Sequence, residues 1–284
     1  MKCIVDVLVV YSAVKSSTPT LTHVIPSQGG GSVRAVTSLG DDVFVVREDS
    51  QQVEVYDAET LTLQRHITVH GIDSPRGLVA CPKNNCLYVS EELHNIHRVQ
   101  LSFRNTVKKW SAANKPTGLS VNIAHNVVVA CFGAKKLHEY TTHGSLVREI
   151  CLQSGVTYPW HAIQLSTGDY VVSQFTSPGV VRIVGVDGRV IDSYRQSQTS
   201  DVGQMKFPSN LAVTKNDDIL VASQHNFRIL SINRSTGCVQ ELALSVDGGI
   251  YEPRGLSLDE SRGRLYVGEV SGQRRVLVFD GVRL

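Results

Sequence analysis

Six short stretches of this chain are apolar almost without interruption. They are "VFVVRE" from Val43, "LYVSEE" from Leu87, "VVVACF" from Val127, "YVVSQF" from Tyr170, "ILVASQ" from Ile219 and "LYVGEV" from Leu265. Each is short and rich in β-branched and aromatic residues, which predicts a strand covered on both faces. After a turn comes a second run: "VEVYD", "HRVQL", "KLHEY", "VRIVGV", "RILSI" and "RVLVFD". Five of the units add a more polar run, "QRHITV", "TVKKWS", "LVREI", "RVIDSY" and "CVQELAL". That decline in hydrophobicity suits an outer strand facing water. Turn sequences stand where hairpins need them, as in "VDGR" from Val186 and "RSTG" from Arg234. No long 3.6-residue period competes with this pattern.

About ten residues before each apolar run stands a recurring tetrapeptide. The copies are Val33-Arg34-Ala35-Val36, Pro75-Arg76-Gly77-Leu78, Pro116-Thr117-Gly118-Leu119, Pro159-Trp160-His161-Ala162, Pro208-Ser209-Asn210-Leu211 and Pro253-Arg254-Gly255-Leu256. They lie roughly 41 to 49 residues apart, the length of a four-stranded blade. Proline sets φ at the start of an innermost strand, glycine lets that strand crowd the axis, and the aliphatic residues pack between blades. The prediction is an all-β fold, a six-bladed β-propeller of four-stranded antiparallel blades.

The last unit has only "GVRL" after its third strand, while "LTHVI" at Leu21 to Ile25 belongs to no unit. Pairing the two removes two open edges, so Leu21 to Ile25 is predicted to complete the last blade and close the ring. The propeller then spans residues 21–284, with an N-terminal extension over residues 1–20. Within the extension, "VLVVYS" at Val7 to Ser12 reads either as an extra strand or as a piece of something longer, and "AVKSSTPT" at Ala13 to Thr20 as a linker.

Composition adds mainly exclusions. The 284 residues are 42% hydrophobic and 19% charged, with a net charge of +2. That balance creates no long-range pull toward nucleic acid, and no apolar run approaches the ~20 residues of a spanning helix, so no membrane partner is expected. The run in Met1 to Val10 is broken by Asp6, and Tyr11-Ser12-Ala13 makes a poor cleavage site. A cytoplasmic location follows, with secretion as the alternative. Among the six cysteines none stand two apart, which leaves no zinc knuckle. Cys81 and Cys86 flank "PKNN" and face each other across a hairpin, as free thiols or as a pair.

"FPSNLAVTKNDDILVASQHNFRILSIN" and "YEPRGLSLDESRGRLYVGEVSGQRRVLVFD" carry a proline, a small residue, an aliphatic residue, an apolar strand and an arginine-led third strand. In this the chain resembles NHL repeats over residues 31 to 280. The resemblance implies a six-bladed propeller of the kind found as a C-terminal binding module of tripartite-motif proteins. No RING, B-box or coiled-coil pattern accompanies it, so no ubiquitin-ligase chemistry of its own is expected.

Departures from the repeat are where function is sought. Three sets of side chains are expected around one mouth of the channel. The innermost strands supply Arg34, Arg76, Thr117, His161, Asn210 and Arg254. The exits of the second strands supply Arg47, Glu91, Cys131, Gln174, Ser223 and Glu269. Farther out, Arg98, Lys136, Arg228 and Arg275 start third strands. His161 and Asn210 replace the glycine of the repeat, either as ligand contacts or as channel residues bonded to water or a neighbouring blade. Trp160 is either a recognition platform or inter-blade packing. Arg34, Arg76 and Arg254 either grip an acidic partner or pair with Glu91 and Glu269.

The expected function is a non-catalytic interaction propeller that binds a protein or peptide on this face. The binding candidates are Arg34, Arg76, Glu91, Trp160, His161, Gln174, Asn210, Arg254 and Glu269. No cofactor is expected, and the alternatives are two. Resemblance to lactonase-like propellers or to the peptide-amidating lyase implies an axial calcium or zinc and hydrolase or lyase chemistry. Asn210 and His161 would be its only ligands here, and arginines at the mouth repel a cation. The other alternative is single-stranded RNA, as bound by some NHL propellers, although Glu48, Glu91, Glu92 and Glu269 interrupt the basic face.

Overall fold

A computed structural model describes residues 18–27, 29–112, 114–195 and 204–283. The first blade holds β2 (Val33–Leu39), β3 (Asp42–Arg47), β4 (Gln52–Asp57) and β5 (Leu63–Thr68). The second holds β6 (Pro75–Cys81), β7 (Cys86–Glu91), β8 (Asn95–Gln100) and β9 (Val107–Ser111). The third holds β10 (Pro116–Val121), β11 (Val127–Cys131), β12 (Lys136–Tyr140) and β13 (Leu146–Cys151). The fourth comprises β14 (Pro159–Gln164), β15 (Tyr170–Gln174), β16 (Val180–Val184) and β17 (Val190–Tyr194). The fifth comprises β18 (Pro208–Val213), β19 (Ile219–Ser223), β20 (Arg228–Ile232) and β21 (Val239–Glu241). The sixth joins β22 (Pro253–Asp259), β23 (Arg264–Glu269) and β24 (Val276–Asp280) to β1 (Thr20–Ile25) from the start of the chain.

The all-β, six-bladed propeller expected from the repeat is therefore the fold. Its closure is also as expected, since β1 runs antiparallel to β24, with Val24 opposite Leu277 and Ile25 opposite Val276. Ile25 is sealed in the core between the last and first blades. The only helix among the described residues is one 3₁₀ turn at Gln224–Asn226. Val7 to Ser12 lies outside the described residues.

Six separate cores fill the six gaps between blades. Between blades 1 and 2, for example, Phe44, Val46 and Val53 meet Leu78, Leu87 and Val89. The second strand of each blade is buried nearly throughout because both its faces meet neighbours. Burial of each such Val, Leu or Ile contributes roughly 1.5–3 kcal/mol.

Two features depart from the expected strands. The run "CVQELAL" forms only the short β21. Leu242 still bonds the carbonyl of Ile229, but Leu242, Leu244 and Val246 then leave the edge to pack between blades 5 and 6. Arg98 does not begin its strand. Pairing in β8 starts at Asn95, and Arg98 bonds Gln100 Oε1 at 2.6 Å within the blade. Cys81 and Cys86 are register partners across the β6–β7 turn and remain buried free thiols.

Candidate functional site

One end of the channel is built by the same device in every blade. The residue before each innermost strand accepts a backbone hydrogen bond from the residue just past the second strand. The pairs are Glu48 to Ser32, Glu92 to Ser74, Phe132 to Lys115, Phe175 to Tyr158, Gln224 to Phe207 and Val270 to Glu252. Four of these acceptors, Ser74, Tyr158, Phe207 and Glu252, hold positive φ near +45°. These staples fix what each blade presents at the mouth.

Next in four of the innermost strands comes a one-residue β-bulge. The pairing slips between Val33 and Ala35, Pro75 and Gly77, Pro159 and His161, and Pro253 and Gly255, whereas in blades 3 and 5 it skips two residues. The extra residues are Arg34, Arg76, Trp160 and Arg254. A bulge re-aims the side chain of its extra residue, and these four meet at the mouth.

Their surroundings divide the mouth into two sectors. Blades 6, 1 and 2 carry the arginines. Arg34 pairs with Glu48, and Arg76 pairs with Glu92. Arg254 lies over the Trp160 ring, 4.7 Å from its centroid. Burial, and then repulsion from Arg76, lower the Arg34 guanidinium to about 10. Burial drives Arg254 well below the usual arginine value, and Arg34 and Arg76 push it further.

Blades 3 to 5 carry an aromatic ridge. Trp160 stacks on Phe175 at 4.4 Å and meets Phe132 edge-on at 5.8 Å. Tyr158 packs on Phe132, while Phe207 and His225 continue the ridge from Phe175. Trp160 itself is 8% exposed, whereas Tyr158 is 52% exposed. A hollow of about 170 Å³ opens between Arg76, Glu92, Lys115, Thr117, Phe132 and Trp160.

The other candidates sit elsewhere. His161 and Asn210 are one residue off the bulge position and line the channel below the mouth, in a cavity of about 190 Å³ walled by Val36, Leu78, Leu119, Leu211 and Leu256. His161 Nε2 donates to the carbonyl of Leu119 at 2.9 Å, and its Nδ1 accepts from the Leu211 N–H at 3.0 Å. The ring thus laces blades 3, 4 and 5 together with both nitrogens occupied. Burial lowers its pKa to about 4, although the bond to Leu119 works the other way. Gly118 makes room for it, since a Cβ there would stand 2.5 Å from His161 Cδ2.

Glu91, Gln174 and Glu269 point into their own blades. Each holds the loop two residues ahead of the proline: Glu91 accepts from Asp73 N at 3.2 Å, Gln174 donates to Thr157 O at 2.9 Å, and Glu269 accepts from Tyr251 N at 3.0 Å. Asn95 and His97 bond Glu91 as well, Arg182 bonds Gln174, and Arg275 bonds Glu269. Glu91 and Glu269 are therefore not the partners of the mouth arginines. Those partners are Glu48 and Glu92, because the strand-exit side chain turns into the blade and the following residue reaches the mouth. Among the described residues no three His, Cys, Asp or Glu side chains converge as an ion would require.

Phe132, Phe175, Phe207 and Lys115 were not singled out by sequence. A signal was present, since the residue closing the second-strand run is Glu in blades 1 and 2 but Phe in blades 3 and 4.

No family model matches the chain, and no curated protein matches it. Solved structures match in fold. A streptogramin B lyase superposes with a TM-score of 0.65 at 12% identity, covering 91% of this chain and 96% of that one. The Kuenenia stuttgartiensis hydrazine synthase matches with a TM-score of 0.63 at 20% identity, over 91% of this chain and 79% of that one. The WD40 β-propeller domain of Doa1 matches with a TM-score of 0.63 at 13% identity, over 92% and 96%. Identities this low establish a shared propeller fold and leave function to the site.

Proposed function

We propose that this chain is a non-catalytic interaction propeller of NHL type, which docks a protein or peptide partner on the mouth formed by Arg34, Arg76, Trp160 and Arg254. The observation that carries this reading is the meeting of an arginine sector with an aromatic ridge on one stapled face. Aromatic and arginine side chains side by side are the residue types that anchor protein interfaces. The bulges and staples hold them in place before a partner arrives, which lowers the ordering cost of binding. A partner offering acidic and apolar groups matches both sectors.

Two observations favour a protein over RNA. Trp160 is stacked on Phe175 and covered by Arg254, so its ring offers no free face to a base, and Glu48 and Glu92 interrupt the mouth where a run of phosphates would need successive cations. A catalytic reading finds less support, since His161 spends both ring nitrogens on backbone groups. No helix among the described residues is long and apolar enough to cross a membrane. A cytoplasmic setting, where thiols such as Cys81 and Cys86 stay reduced, is part of the proposal.

The test is a peptide library probed with the labelled full chain. Binders should concentrate in sequences that combine carboxylates with apolar residues. Arg76→Glu and Tyr158→Asp should each remove them, while Leu146→Asp on the exposed outer strand of blade 3 should not. Binding that survives both mouth substitutions would refute the proposal.

A further inference from the structure

Arg254 differs from its neighbours at the mouth. Arg34 has Glu48 and Arg76 has Glu92, but no guanidinium nitrogen of Arg254 has a hydrogen-bond or carboxylate partner among the described residues. Its Nε is sealed from solvent, and the residue is 5% exposed. A bulge in β22 and the face of Trp160 hold it there. A guanidinium buried without an anion is unfavourable, and the natural completion is a negative group from outside.

The ion pairs give the sign of that group's charge. Arg34 and Arg76 each have one carboxylate, Glu48 and Glu92, and Arg254 has none, which leaves one positive charge unpaired among the three arginines. The hollow beside Trp160 gives its shape. At about 170 Å³, walled by Phe132, Trp160 and Pro116, it is comparable to the ~150 Å³ cavity that accommodates benzene. Trp160 is shared between the two, with Arg254 over its ring and the hollow against it. The occupant must therefore carry one negative charge and one apolar group only a few bonds apart. The last residue of a polypeptide does so, because its carboxylate and its side chain leave the same Cα.

The geometry points to a chain-end pocket: the C-terminal carboxylate of a partner polypeptide sits on Arg254, and the apolar or aromatic side chain of its last residue fills the hollow between Phe132 and Trp160. This rests on the reading of the mouth as the docking face.

Calorimetric titration of the full chain with N-acetyl-phenylalanine, its primary amide, N-acetyl-aspartate α-amide and inorganic phosphate tests it. The expected result is saturable binding of the free acid, with the amide at least tenfold weaker. The aspartate derivative should bind less tightly than the acid, and phosphate at equal concentration should not displace it. Arg254→Met should weaken the acid at least tenfold and leave the amide unchanged, and Phe132→Ala should weaken both. Equal binding of acid and amide, no binding of either, displacement by phosphate or unchanged affinity in Arg254→Met would each overturn the inference. Tighter binding of the aspartate derivative would also overturn it, by assigning the site to an internal acidic side chain. If acid and amide bind equally and Phe132→Ala weakens both, the chain-end pocket fails while the docking face stands. If no mouth substitution changes any binding, both fail. Should Arg254→Met not fold, the acid–amide comparison on the unaltered protein decides.

Discussion

Arg254→Met should make the protein more stable. The substitution keeps an unbranched side chain beside Trp160 and removes the charge. What is lost is the cation–π contact at 4.7 Å, worth about 2 kcal/mol for a desolvated cation. A thioether against the same ring returns up to about 1 kcal/mol. What is relieved is larger: an unpaired buried ion carries an effective penalty of several kcal/mol, and here Arg34 and Arg76 add repulsion. The net expectation is a gain of about 1–3 kcal/mol. A chain of this size gains about 2 °C per kcal/mol, so Tm should rise by roughly 2–6 °C. Arg34→Met is the control. It strands Glu48 and should lower stability by about 1 kcal/mol. Differential scanning calorimetry at pH 7 and low ionic strength, with urea midpoints as a second measure, reads both. A Tm for Arg254→Met that falls by 2 °C or more would refute the reasoning. It would mean that Arg254 serves as a strut on Trp160, and that the mouth keeps no charge in reserve for a ligand.

Other outcomes follow from the channel and the ring closure. His161 has a folded pKa of about 4 against an unfolded value of 6.5, so between these pH values the unfolded chain binds more protons and stability falls as pH drops. The loss should reach about 3 kcal/mol by pH 4, and urea unfolding of His161→Leu should lack this part of the pH slope. The same variant leaves the Leu119 carbonyl and the Leu211 N–H unpaired, and at pH 7 it should cost about 2–4 kcal/mol by urea midpoint. Gly118→Ala drives a Cβ into His161 and the Trp160 carbonyl and should cost about 1–3 kcal/mol, whereas Gly255→Ala, with its nearest neighbour at 3.3 Å, should cost less in the same assay. Ile25→Ala should lower stability by about 2–4 kcal/mol, as expected where β1 completes the last blade and buries Ile25 against the first.

The number of blades, the closure of the ring and most of the strands are legible in the chain alone, though not the shortening of β21 or the start of β8. Those properties are encoded locally and repeated. Each second strand is apolar on both faces because a blade lies on either side, and a proline marks five of the six innermost strands. Leu21 to Ile25 could be assigned to the last blade because an unpaired edge at each end of the chain has one economical solution. Side-chain direction was a different matter. Counting residues from the proline placed Arg76 and His161 in one set, but the bulge in blades 2 and 4 sends the first residue, Arg76 or Trp160, to the mouth and the next, Gly77 or His161, to the channel wall. Partners also depend on the third dimension, for a shift of one residue exchanges Glu91 for Glu92 and turns a blade-internal carboxylate into a mouth-facing one. That Arg254 lies on the ring of Trp160 without a carboxylate follows from the folded arrangement alone. The two residues are 94 apart along the chain, and inter-strand hydrogen bonding sets where each one points.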